Sequence, residues 1–265
     1  MKSREILIYL AIIHRGDWDR IYNALSAKDE IDEKEAMKVI NSIKCSCITV
    51  LDENYPAGLR EMAKAPFVLF YYGDISLIND SNNKLAVVGS RKCSEYGAKT
   101  TKDFVSELCK DFVIVSGLAY GIDTIAHRTA MENGGKTIAV LGNGIDICYI
   151  EDNKDIYEEC KKNHLVISEY PSDVPPCPIY FPIRNRIIAG ICQTLLVTEG
   201  KIASGTQITA MLMAQKSGDV CCVPDKIGTN SICNRLISEG AYLVETPEDV
   251  YDAARVMRKK AVFEM

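Results

Sequence analysis

Four short stretches of this chain hold the side chains with reach for chemistry. In Gly89-Ser90-Arg91 a guanidinium follows two small residues. Small residues let backbone come close to a phosphate, and arginine forks onto its oxygens. In Ser116-Gly117-Leu118-Ala119-Tyr120-Gly121-Ile122-Asp123 two glycines open the backbone just ahead of a helical pattern. Amide N–H groups and a helix N-terminus then converge on a place suited to an anion. The spacing is G-x-x-x-G, which is not the dinucleotide fingerprint G-x-G-x-x-G. In Thr198–Thr206 the residues Glu199, Lys201, Ser204, Gly205 and Thr206 precede another helix, with Ser204 as its expected N-cap. The fourth stretch is Arg184-Asn185-Arg186, early in a helix that Pro182 helps to start.

Several of these residues have two readings. Asp123 and His127 stand four apart and can meet on one helix face. A catalytic dyad is one reading; a structural hydrogen bond supporting the loop is favoured. Residues two apart on a helix point about 200° away from each other. So if Arg184 faces a ligand, Arg186 should face the protein, toward a carboxylate such as Glu169 or Glu199. Glu199 can be catalytic, can bond a sugar hydroxyl, or can hold an arginine of the preceding helix; the last is favoured. Tyr180 and Phe181 can stack on a base, and core is the favoured reading for Phe181.

The elements that position these groups alternate. Short apolar runs such as Leu85–Val88, Phe112–Val115, Ile138–Leu141, Leu165–Ile167 and Leu195–Val197 are each followed by a loop and a helical pattern. Strands apolar on both faces belong to a buried, parallel sheet. The expected fold is therefore α/β, doubly wound and mostly parallel, an extended Rossmann-like sheet. In that fold ligands bind beyond the carboxyl ends of the strands, where the stretches above lie. Residues 1–44 read as a small helical element of two or three helices, and 45–265 as the Rossmann-like domain. A helix over Pro247–Lys260 closes the pattern.

Composition narrows the function. The chain has 265 residues with a formal net charge of −5. That balance argues against coating nucleic acid by bulk charge, but permits a local basic groove, because affinity follows the contacted phosphates. The 11 cysteines include no C-x-x-C, and only three histidines are present. Reduced thiols in a cytosol and no metal are expected. No signal peptide and no membrane-spanning run is read, so a cytoplasmic protein without membrane contact is expected. Walker and G-x-S-x-G motifs are absent, and no nucleophile–base pair stands out. Several phosphate-sized sites with no evident chemistry point to binding of a nucleic-acid strand.

Taken in order, "GSR…S.YG", "SGLAYGIDTIAH", "LGNGID", "SEYP", "FPIRNRIIAG", "SGTQITA" and "CNRLISEGA" resemble the DprA/Smf family of DNA-processing proteins over roughly Ile48–Val250. The resemblance implies a non-enzymatic, cofactor-free homodimer that binds single-stranded DNA. It also implies help in loading a RecA-type recombinase during natural transformation or recombination. Carried over residue by residue, the binding pocket would comprise Ser90, Arg91, Gly117, Gly121, Arg184, Asn185, Lys201, Ser204, Gly205 and Thr206. Asp123, His127, Arg186 and Glu199 would support it.

The sequence departs from the family pattern at Ile150, Ile183, Asp225 and Ile232. The changes at Ile183 and Asp225 are expected to lower positive charge or loop freedom near the cleft. The N-terminal helices lack a clear helix-hairpin-helix glycine turn. The C-terminal winged helix of many relatives is not found, so duplex binding through it is not expected. Two rival classes remain. One is a nucleoside-monophosphate N-glycosidase of the lysine-decarboxylase-like type, faintly echoed by "TEGKIASGT". The other is a small-nucleotide-sensing module.

Overall fold

The computed structural model describes residues 1–257 except Asp80 and Asn82. A nine-stranded sheet runs in the order β1-β2-β6-β5-β4-β3-β7-β8-β9. Its parallel part comprises β3 (Lys84–Gly89), β4 (Val113–Ser116), β5 (Thr137–Leu141), β6 (Leu165–Ser168), β7 (Thr194–Glu199), β8 (Asp219–Cys222) and β9 (Tyr242–Leu243). Two antiparallel strands, β1 (Ser46–Thr49) and β2 (Val68–Gly73), extend one edge. The fold is thus α/β and mostly parallel, as the alternating pattern predicts.

The central strands are buried on both faces, which explains their unbroken apolar runs. In β5, Ile138 and Val140 join one core, while Ala139 and Leu141 join the other. The first core includes Leu59, Ile187, Ile188, Ile191, Ala210, Met213, Ile232 and Cys233. They come from α4 (Ala57–Arg60), α8 (Tyr180–Ile191), α9 (Gly205–Gln215) and α10 (Ile232–Ser238). The opposite face packs on α5 (Glu95–Leu108), α6 (Ile122–Glu132) and α11 (Pro247–Ala254) through residues such as Phe104, Leu108, Ile122, Ala126 and Val250. In α6 the buried positions 122, 126, 129 and 130 make one helical stripe. Farther along that face lies α7 (Lys154–Asn163).

Three helices precede the sheet: α1 (Ser3–Ile13), α2 (Trp18–Ala27) and α3 (Glu33–Ile40). Leu7, Ile8, Leu10, Ala11, Ile21 and Ala24 pack in one cluster with Val68, Phe70, Leu141 and Val166 of the sheet. The N-terminal helices therefore share a core with the Rossmann-like part. A glycine turn does join α1 to α2: Gly16 has φ +75°, and a Cβ there would meet the Glu169 carbonyl oxygen at 2.6 Å. The closing helix α11 is shorter than its pattern suggests and ends at Ala254, where Arg255 turns left-handed with φ 54°. Arg258 to Lys260, the remainder of the expected helix, lie outside the described residues. None of the described helices is long and apolar enough to cross a membrane.

Candidate functional site

Strand β3 is the switch point of the sheet. From it the chain winds through β4, β5 and β6 on one side, and β7, β8 and β9 lie on the other. The loops after β3 and β7 therefore leave their strands side by side, and a crevice opens between them. The Ser90 N–H donates to the Glu199 carbonyl at 2.9 Å and ties the two strand ends together. An open cleft of about 930 Å³ lies there. Ser90, Arg91, Arg184, Asn185, Lys201, Ser204, Gly205 and Thr206 all line it. Gly117 lines an adjoining recess of about 100 Å³, which shares Arg91, Ala119, Tyr149 and Phe181 with the cleft. Gly121 lines neither.

The cleft's cations divide into free and engaged. Arg91, Lys92 and Lys201 are exposed. Among the described residues no carboxylate pairs with any of the three. The Arg91 guanidinium lies 5.6 Å from the centre of the Phe181 ring, and Phe181 in turn is 5.7 Å from Tyr149. Phe181 is thus a half-buried wall of the cleft, not the core residue expected. It stands at the first turn of α8, before that helix descends onto the sheet.

Arg184 departs further from expectation. It is 4% exposed, and its Nη1 donates to the Gly117 carbonyl at 2.7 Å and to the Val140 carbonyl. Its Nε donates to Asn185 Oδ1 at 3.2 Å. Burial pulls its pKa down to about 10, with the Asp123 carboxylate opposing. Arg184 therefore holds up the loop from below while also lining the cleft. Asn185 in turn donates to the Gly205 carbonyl at 3.3 Å, linking α8 to the mouth of α9.

The glycine loop is held in the same way. Buried Asp123 accepts from the N–H groups of Gly117 at 3.1 Å and Ala119 at 3.3 Å. Those two donors, expected for a phosphate, already have a carboxylate. Burial raises the Asp123 pKa, and the Arg184 charge works against that rise. A Cβ on Gly121 would come within 2.3 Å of the Ser90 carbonyl oxygen, so this glycine, at φ +74°, lets two loops touch. His127 bonds Thr137 Oγ1 through Nδ1 at 2.7 Å, so its partner is Thr137 and not Asp123. Burial lowers its pKa to about 3, and the ring is neutral in the fold.

Arg186 points away from the cleft, as its spacing from Arg184 suggests, and grips Glu169 with Nη2 at 2.7 and 2.8 Å. Burial raises the Glu169 pKa, and Arg186 counters it. Glu199 differs from expectation: among the described residues it pairs with no arginine. Its carboxylate accepts from the Ser94 N–H at 2.9 Å and the Ser94 hydroxyl at 2.6 Å, at the start of α5. The reason is register. Gly89 of β3 pairs with Glu199 of β7, so the side chain meets the helix that follows β3. Ser204 precedes α9 as expected, but its hydroxyl makes no cap bond. That oxygen is buried with no hydrogen-bond partner. An orphan of this kind costs roughly 1–3 kcal/mol until something satisfies it.

The exposed donor set therefore consists of Arg91, Lys92, Lys201 and the mouth of α9, with Asp123 and Arg184 lining the cleft beneath them. A profile of the DNA recombination-mediator protein A family matches residues 46–255. The chain belongs to that family. It is 44% identical to the DNA processing protein DprA of Streptococcus pneumoniae, over 83% of this chain and 78% of that one. With DprA of Bacillus subtilis it shares 34% identity over 77% of this chain and 70% of that one. The crystal structure of the Streptococcus pneumoniae protein superposes with TM-score 0.78 at 41% identity, over 88% of this chain and 80% of that one. DNA processing protein A of Helicobacter pylori, whose structure concerns a single-stranded DNA binding mode, superposes with TM-score 0.72 at 26% identity, over 80% and 95%.

Of the four expected departures, Ile183, Asp225 and Ile232 line neither the cleft nor the recess, and Ile150 lines the recess. Asp225 instead closes its own turn, accepting from the Lys226 N–H at 2.7 Å and the Thr229 hydroxyl at 2.9 Å. Ile232 is fully buried against Gly200, and Ile150 lines the smaller recess. Sequence reasoning missed Lys92, Tyr149, Ile208 and Met211 as lining residues. Lys92 directly follows Arg91 and Ile208 lies within SGTQITA, so both were findable; Tyr149 and Met211 sit outside the quoted motifs. Among the described residues, no group of three or more His, Cys, Asp or Glu is placed to hold a metal ion.

Proposed function

We propose that this chain binds single-stranded DNA along the switch-point cleft, as a homodimer in the cytoplasm, and presents the strand to a RecA-type recombinase. The observation that carries the reading is the separation of its cations. Arg91, Lys92 and Lys201 face an open cleft with no carboxylate partner, while Arg184 and Arg186 are buried anchors. Exposed cations along an open cleft suit the backbone of one flexible strand. The homologous DNA processing proteins, and the Helicobacter pylori structure concerned with single-stranded DNA, support the same reading.

The protein acts by binding and not by chemistry. The three acid or base candidates read from the sequence each have a structural partner: Asp123 two backbone N–H groups, His127 Thr137, Glu199 Ser94. The test is fluorescence anisotropy with oligonucleotides of graded length, single and double stranded, over a salt series. Single strands should bind tighter than duplexes of equal length. About three phosphate contacts predict a slope of roughly −2 in log affinity against log salt, at about −0.7 per contact. Equal affinity for duplex and single strand sinks the reading. Release of free base from nucleoside monophosphates would move it to the N-glycosidase class, and saturable binding of a mononucleotide without preference for longer strands to the sensor class.

A further inference from the structure

Helix α9 has no charged residue from Gly205 to Gln215. Its inner face, Thr206, Thr209, Ala210 and Met213, is buried. Its outer face presents Ile208 and Met211, which are 39% and 51% exposed, and both line the cleft. A surface helix ordinarily turns charged residues outward, and one that is apolar on its open side has something to cover it.

We infer that the outer face of α9 receives unstacked nucleobases of the strand whose phosphates lie at the Lys201–Thr206 loop. The inference rests on the single-stranded DNA reading. The apolar face is continuous with the phosphate-binding end: the helix mouth, the orphan Ser204 hydroxyl, Ile208 and Met211 all belong to one wall of one cleft. At 1.5 Å rise per residue, Met211 lies about 9 Å along the axis from Gly205. Unstacked bases lie farther apart than the roughly 3.4 Å of a stacked duplex, so that length holds one or two of them. A strand anchored by phosphate at the mouth thus lays its bases along the helix body. In a chain of net charge −5, this helix also places no carboxylate against the strand. Aliphatic side chains and a thioether discriminate little among bases, so the contact is tolerant of sequence. Bases in a duplex are paired and stacked inward, out of reach of this wall.

The experiment compares a thymidine 20-mer with a 20-mer of abasic sites, which has the same phosphates and no bases, by anisotropy at fixed salt. The wild-type chain should prefer the base-bearing strand by about tenfold, the fold-change for burying a modest apolar area. Ile208→Ser/Met211→Ser should lose most of that preference while holding the abasic strand as wild type does. Met211→Gln, a single exposed change, should lose part of it and guards against misfolding of the double variant. Equal wild-type affinity for the two strands overturns the inference and leaves DNA binding standing. So does a double variant that keeps the preference, or one that changes only the sedimentation behaviour, which would mark α9 as a face between copies. Binding of neither strand overturns the single-stranded DNA reading, and this inference with it.

Discussion

Arg184 lies beneath Gly117, its Nη1 2.7 Å from the Gly117 carbonyl oxygen, and a Cβ on that glycine would come within 2.4 Å of Nη2. The relationship makes the glycine loop and the first turns of α8 one unit. Gly117→Val should therefore act by displacing a buried guanidinium, and not only by blocking a ligand. Both the melting temperature and the oligonucleotide affinity should fall. Arg184→Met should reproduce the stability loss, since two buried carbonyls lose their donor at about 1–3 kcal/mol each. Denaturant unfolding of both variants checks this; a Gly117→Val protein as stable as wild type would refute the coupling.

Arg91 and Arg186 should separate binding from stability. Arg91 is exposed and has no carboxylate partner among the described residues. Arg91→Ala should weaken binding up to about tenfold after solvent screening and leave the melting temperature nearly unchanged. Arg186→Ala leaves Glu169 buried and unpaired, at a cost on the order of 3–5 kcal/mol. Replacing both partners by methionine should recover much of that loss. Calorimetry and anisotropy on the same preparations distinguish the two residues.

Glu199 should behave as a helix cap. Its carboxylate receives the Ser94 N–H and hydroxyl at the positive end of α5. Glu199→Ala should cost about 1–2 kcal/mol, the usual range for a lost cap. DNA affinity should fall only as far as the Ser90–Cys93 loop loosens. Glu199→Gln keeps acceptor and shape, so it should lose less. If a nucleotide-cleaving activity were found in wild type and vanished in Glu199→Gln, the cap would not be its whole role.

His127 should make the fold acid-sensitive. Its folded pKa of about 3 lies below the ordinary value of 6.5, so the unfolded chain binds the extra proton. The stability from keeping this ring neutral is present above pH 6.5 and is lost as pH falls toward 3. Relative to His127→Gln, wild type should lose roughly 1.4 kcal/mol per pH unit across that window. Urea unfolding of the pair at several pH values tests it. Parallel pH profiles would show that the ring becomes solvated before global unfolding.

The sequence alone determined the alternation of strands and helices, because strands buried on two faces must be apolar throughout and helices packed on one side need a stripe. It placed the cleft-lining loops at β3, β4 and β7, since glycines and cations cluster where those strands end. It also set Arg184 and Arg186 on opposite sides of one helix, through the 3.6-residue turn. Only the tertiary structure decided which side faced what. Helical phase gives relative direction and says nothing of depth, so Arg184 looked free and is buried 44 residues downstream of its partner Val140. Glu199 looked like a partner for the helix before it, but strand register carried it to the helix after β3. The open face of α9 was invisible for the same reason. A helix without charges reads as core until the packing of its neighbours leaves one side uncovered.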